Sequence, residues 1–182
     1  MRALKMNDQS GYVVAWHIFD RKRYMIWFNG LSERDWFMKI PQTSALLIST
    51  TRAELRRKAI KHNITISRQA AQKIDMDRTF RLLEKLRPCE FIPKRTSEIF
   101  LETWNALDDL AHSIGDTTFE RISRAKYNDK LYQKIFYANE LPAVTPKGEH
   151  YKAVLSKSET THIKTLLHDR GTSLLKKSGV ID

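Results

Sequence analysis

Hydrophobic and polar positions alternate through the first quarter of the chain and then change period. Tyr12-Val13-Val14-Ala15-Trp16-His17-Ile18-Phe19 is a run of aromatic and β-branched residues, which predicts a strand. Asp20-Arg21 predicts a turn, after which Lys22-Arg23 opens a second strand through Tyr24-Met25-Ile26-Trp27-Phe28. Asn29-Gly30 is a strong hairpin signal, because both residues tolerate positive φ. A third strand is predicted over residues 35–40, ended by Pro41, and a fourth over 44–50. Residues 11–50 therefore predict an antiparallel meander.

After residue 50 the period is helical. Thr51 and Glu54 fit a capping box, in which each side chain satisfies a backbone donor of the first turn, and the helix runs to about residue 61. Residues 67–74 predict a second short helix, with Ile66 and Ala70 on one side. Asp77 is placed to cap a third, over 78–86, stopped by Pro88. Residues 90–95 hold Pro93 and predict a connector. The clearest helix covers 98–114: Phe100, Trp104, Leu107, Ala111 and Ile114 form one apolar stripe. Thr96 or Ser97 is its expected cap, and Gly115 sits where a left-handed C-terminal residue belongs. Thr117 and Glu120 suggest another capping box and a helix from 118 toward 137, broken at Asn128-Asp129. Residues 139–149, with Pro142, Pro146 and Gly148, read as a loop. A short strand over 151–155 precedes a third capping box, Ser156 with Glu159, and a helix that Gly171 ends.

These elements predict an α+β fold: an N-terminal antiparallel β-meander of about 3–4 strands packed against a mainly helical remainder. No internal repeat and no long linker divides the chain, so residues 1–182 read as a single domain. Its subregions are 11–50 (meander), 51–138 (helical) and 139–182 (loop, short strand and C-terminal helix). Glycine and proline number 11 of 182, about half of average usage, while 41% of residues are hydrophobic. That composition excludes collagen-like and globally disordered classes. The N-terminal residues lack the apolar core of a signal peptide, and no run approaches a membrane span. The single cysteine, Cys89, allows no intramolecular disulfide and no Cys-rich zinc site. A cytoplasmic protein without membrane association is the expectation.

Charge changes the picture most. With 32 Lys+Arg against 21 Asp+Glu, the chain carries +11. Residues 1–100 sum to +10, residues 101–120 to −5, and residues 121–182 to +6. From Glu98 to Glu120 there are six acids and no Lys or Arg. The densest basic run is Arg52, Arg56, Arg57, Lys58 and Lys61, opposed by Glu54 alone. Further groups are Arg21-Lys22-Arg23, Arg121 with Arg124 and Lys126, and Lys176-Lys177. Clustered cations displace the counterions condensed on phosphates, which drives sequence-independent affinity for nucleic acid. The opposite expectation is that the acidic block neutralises them within the molecule.

Eight of the 18 aromatic residues fall within residues 12–37. A ring left exposed beside Lys22, Arg23 or Arg34 would stack an unpaired base; a sheet buried on both faces would leave none. Residues 54–74 also allow a helix-turn-helix, with Asn63 in the tight turn and Arg68, Gln69, Gln72 and Lys73 facing DNA.

The site expected from these patterns is a phosphate-binding patch of Arg21, Lys22, Arg23, Arg52, Arg56, Arg57, Lys58, Lys61, Arg68, Lys73, Arg121 and Arg124, without cofactor or metal. The function it implies is a small, basic, non-enzymatic accessory protein that binds nucleic acid, DNA and RNA being unresolved. The first alternative is a protein-interaction module, such as an inhibitor or a subunit of a larger, ribonucleoprotein-like assembly, since the acidic block and the surplus aromatics suit a protein partner. The second alternative is a metal-independent ribonuclease using Arg57 and His62, whose Arg-x4-His spacing occurs at chance frequency. His162 and His168, six apart, do not share a helix face as a metal-binding pair would, and Asp108 and Asp109 point about 100° apart. No catalytic motif names a reaction.

Overall fold

A computed structural model describes residues 11–30, 34–141, 144–147 and 150–182. Residues 1–10, Pro142 and Gly148, on which some of the sequence reading falls, lie outside the described residues.

The fold is α+β, with an N-terminal sheet packed against a mostly helical remainder. The first two strands form where the alternation predicts them: β1 (Tyr12–Ile18) pairs antiparallel with β2 (Arg21–Phe28). The turn between them is Phe19-Asp20, one residue earlier than expected, and both residues have positive φ (49° and 57°). The Asp77 carboxylate holds this turn by accepting from the N–H of Phe19 (2.7 Å) and of Asp20 (3.2 Å).

Asn29-Gly30 does not make a two-residue hairpin. Phe28 pairs with Trp36, so residues 29–35 connect β2 to β3 (Trp36–Phe37), and the Asp35 carboxylate accepts from the Gly30 N–H at 2.8 Å. Nor do residues 44–50 supply the fourth strand; they contribute single bridges, Lys39 to Leu46 and Tyr24 to Ser49. The fourth strand is β4 (Gln72–Asp75), which lies parallel to β1 on its free edge, giving the order β3-β2-β1-β4. The sheet is therefore mixed. The predicted helix over 67–74 is absent, because this segment satisfies its backbone groups on β1 and its upstream neighbours instead. Ser67 N–H donates to Gly11 C=O, and Gly11 N–H to Thr65 C=O.

One face of the sheet, carrying Val14, Trp16, Ile18, Met25, Phe37 and Ile74, packs on the helical body. The other, carrying Val13, Ile26 and Phe28, is covered by α1 (Arg52–Lys61) through Leu55 and Ala59, and by Met38, Leu47 and Ile64. Both faces are thus covered. Of the eight aromatic residues in 12–37, Phe19 is the exposed one, and it lies against Phe80.

Helix α2 (Met76–Lys85) is capped by Asp75, not Asp77, through the Arg78 N–H. Helix α3 (Lys94–Ile114) begins four residues earlier than predicted, directly after Pro93 and without a side-chain cap. Pro93 itself stands at the N-cap, so neither Thr96 nor Ser97 caps the helix; Ser97 donates instead to the Lys94 carbonyl (2.7 Å). At the other end Gly115 has φ 72° and closes the helix as predicted. Asp116, not Thr117, caps α4 (Thr117–Ser123). The chain breaks at Arg124-Ala125, before Asn128, and resumes as α5 (Lys126–Tyr137).

A two-stranded ribbon joins β5 (Phe91–Ile92) to β6 (Ala153–Val154). Ser156 and Glu159 form the predicted capping box of α6 (Lys157–Lys164). Gly171 does not end that helix. The chain passes through a π-helical turn (Thr165–Arg170) into α7 (Gly171–Lys177), and the left-handed residue beyond it is Gly179. Gly171 is buried against Leu107 of α3, so its role is close approach and not termination.

Candidate nucleic-acid interface

Helix α1 packs on the sheet through Leu55 and Ala59, is tied to the preceding segment by Lys58 donating to the Ile48 carbonyl (2.9 Å), and turns Arg56, Arg57, Ile60 and Lys61 outward. The Thr51 hydroxyl accepts from the Glu54 N–H (3.1 Å), while Glu54 reaches back to the N–H of Thr50 (3.2 Å), one residue short of the expected box. Leu55 and Ala59 face the sheet. Arg56, Arg57, Ile60 and Lys61 face outward, and Ile60 is 74% exposed. Spacings of three and four place these four residues on one side of the helix.

Two cations of the segment 52–73 are neutralised locally. Lys58 pairs with Glu54 (2.8 Å), and this hydrogen bond draws the Glu54 carboxyl below its ordinary range. Lys73 pairs with Asp75 (2.5 Å). Arg52 donates to the Gln69 carbonyl (2.7 Å), which ties the segment after α1 back to its first turn; its Nε finds no partner. Among the described residues, Arg52, Arg56, Arg57, Lys61 and Arg68 have no carboxylate within 4.0 Å. The second helix of the expected helix-turn-helix does not exist: Asn63 adopts the expected left-handed turn (φ 55°), but Gln72 and Lys73 lie on β4.

Strand alternation splits Arg21-Lys22-Arg23. Lys22 pairs with His17, and His17 with Asp75, on the sheet face that α1 partly covers. Burial depresses the His17 pKa, and Lys73 and Lys22 press it further down, so these cations share one surface with it. Arg21 and Arg23 pair with Ile18 and Trp16 on the opposite face, where Arg21 meets Asp182 (2.9 Å). Arg121 and Arg124 are on α4 and its cap, where Arg124 lies 3.5 Å from Asp108. The twelve predicted residues therefore do not form one patch. Arg52, Arg56, Arg57, Lys58 and Lys61 share α1, the Arg52–Gln69 bond ties the segment carrying Arg68 to it, and Lys22 and Lys73 share the sheet face with His17.

Three of the six acids of the block, Asp108, Asp116 and Glu120, pair away from α1. Arg34 bridges Asp108 and Glu120, His112 lies 3.3 Å from Glu120, and Lys177 pairs with Asp116 (2.8 Å). The 100° divergence of Asp108 and Asp109 is visible in their partners: Asp108 meets Arg34 and Ser123, whereas Asp109 accepts from the Trp27 indole N–H (3.1 Å). Burial pushes the Asp109 carboxyl up to about 7; the Trp27 bond opposes this, and Asp35 and Asp108 add to it. Asp109 lines a cavity of about 270 Å3 with Asp35, Glu102 and Asn105, over Val14, Phe37 and Ile74. Burial also raises Glu102.

His62, at the C-terminus of α1, lines a separate groove of about 450 Å3 with His112 and residues 36–43. No hydrogen bond joins it to Arg57 among the described residues. Sequence reading also missed a groove between α5 and β6 that exposes Tyr137 and Tyr151. Its sequence signal is the two tyrosines bracketing the Pro- and Gly-containing loop. Among the described residues, no group of three or more His, Cys, Asp or Glu is placed to hold a metal ion, and no helix is long and apolar enough to cross a membrane.

No protein-family model, no curated protein and no solved structure matches this chain.

Proposed function

We propose that the protein is a small nucleic-acid-binding accessory protein that grips phosphates through α1 and the segment that follows it. The observation that carries this reading is the unneutralised charge of Arg52, Arg56, Arg57, Lys61 and Arg68. Five cations within 17 residues of chain stand without carboxylate partners, while Asp108, Asp116 and Glu120 of the acidic block meet Arg34, Arg124 and Lys177 instead. Cations without a carboxylate partner release condensed counterions when they meet phosphates. Lys22 adds a cation on the sheet face that α1 partly covers, whereas Lys73 on that face is held by Asp75.

Fluorescence anisotropy with labelled DNA and RNA at low salt tests it. The Arg56→Gln/Arg57→Gln/Lys61→Gln variant is expected to bind more weakly across all sequences, with a salt slope shallower by about one for each phosphate that is no longer neutralised. Failure of the wild-type chain to bind either nucleic acid at low salt would overturn the reading.

A further inference from the structure

The groove between α5 and the β5–β6 ribbon combines three features that a base-binding site needs. It is concave, with a volume of about 490 Å3, inside the ~300–1,000 Å3 span of small-molecule sites. It presents aromatic faces: Tyr137 and Tyr151 stack on each other with ring centroids 5.3 Å apart and planes 29° apart, and both remain about 40% exposed. It is ringed by cations, Lys130, Lys134 and Lys152, against one lining acid, Asp129. Lys134 is paired with Glu159 (2.7 Å), while Lys130 and Lys152 have no ion pair among the described residues.

The ring pair is held from behind. Phe136 meets Tyr137 edge-on (5.7 Å) and stacks on Tyr132 (6.2 Å), which in turn packs on buried Trp104 (5.5 Å). Tyr151 therefore ends a chain of aromatic contacts rooted in the core. An exposed ring flanked by ammonium groups is the arrangement that stacks an unpaired base while cations track the backbone. A duplex offers no such face, since its bases are stacked on one another.

We infer that this groove binds an unpaired nucleotide of single-stranded nucleic acid, with a base stacked on Tyr151 and phosphates met by Lys130 and Lys152. The inference rests on the nucleic-acid reading above but places a second contact on a different surface.

Anisotropy with labelled (dT)10, (rU)10 and a 10-bp DNA duplex, using the full chain, tests it. Tyr151→Ala is expected to weaken single-strand binding roughly 5- to 150-fold, the range for losing one base–aromatic stack. Tyr151→Phe retains affinity, and duplex binding is unchanged in both variants. Comparing (dT)10 with (rU)10 tells whether the strand is DNA or RNA. Circular dichroism confirms that each variant is folded. Should Tyr151→Ala bind (dT)10 and (rU)10 like wild type while the Arg56/Arg57/Lys61 variant is weakened, the groove inference falls and the α1 reading stands. Should Tyr151→Ala weaken duplex and single strand equally, the base-stacking role falls, since a contact that does not distinguish paired from unpaired bases is not a stack on a base. Should the wild-type chain bind none of the three at low salt, both readings fall.

Discussion

Trp27 donates its indole N–H to the carboxylate of Asp109 at 3.1 Å, joining the end of β2 to the C-terminal part of α3. The bond does not offset the burial of the acid, whose pKa is pushed up to about 7 from 3.8. The folded state therefore holds a proton that the unfolded chain releases. Stability from this group is full below about pH 4, falls as pH rises toward 7, and is flat above. Asp109→Asn removes the titration and keeps an acceptor for Trp27. The variant is expected to melt with wild type near pH 4 and above it at pH 8, by on the order of 1–2 kcal/mol after discounting for partial exposure, or roughly 2–8 °C. Thermal melts across pH 4–8 check this. A variant less stable than wild type at pH 8 contradicts the burial argument.

The Phe19-Asp20 turn carries two residues at positive φ, and Asp77 accepts from both of their amides. Asp77→Ala leaves the turn without its acceptor and is expected to cost about 1–2 kcal/mol. Asp20→Gly relieves the left-handed strain and is expected to stabilise by a few tenths to about 1 kcal/mol. Urea denaturation of the two single variants measures both.

A Cβ placed on Gly171 would stand 2.9 Å from Cδ1 of Leu107, which is fully buried. Gly171→Ala is expected to destabilise by about 1–2 kcal/mol, because crowding of a packed core outweighs the ~1 kcal/mol helical gain of alanine. In a Leu107→Ala background the crowding vanishes and the same substitution becomes stabilising. A double-mutant cycle by denaturant unfolding reports the change of sign.

Local signals located the elements whose stability is local. Alternation marks β1 and β2, the apolar stripe marks α3, and Ser156 with Glu159 marks the start of α6. What escaped depends on distant partners. Residues 72–75 carry no strong strand pattern, and they become β4 because β1 offers a free edge more than fifty residues upstream. Gly171 resembles a helix stop until Leu107 is seen beside it. The basic run on α1 was legible as a run, but its separation from Arg21, Arg23, Arg121 and Arg124 was not. Strand alternation divides the first cluster, and the fold places α4 beside Asp108. Tyr137 and Tyr151 lie 14 residues apart, and the ribbon that brings their rings together is set by the Phe91–Val154 pairing.

Replacing the outward cations of α1 tests binding without disturbing the fold, since none of them meets a carboxylate. The Arg56→Gln/Arg57→Gln/Lys61→Gln variant is expected to keep wild-type stability within about 0.5 kcal/mol per site. A large loss of stability would show that these side chains hold the structure together, and thermal melting decides it.

The most direct measurement is the affinity of the full chain for nucleic acid as salt rises from about 50 to 200 mM. On a duplex, if Arg52, Arg56, Arg57, Lys61 and Arg68 each neutralise one phosphate, log K falls linearly with log salt, with a slope of about −4.5. A slope near zero, or no binding at the lowest salt, contradicts the claim that this surface exists to meet phosphates.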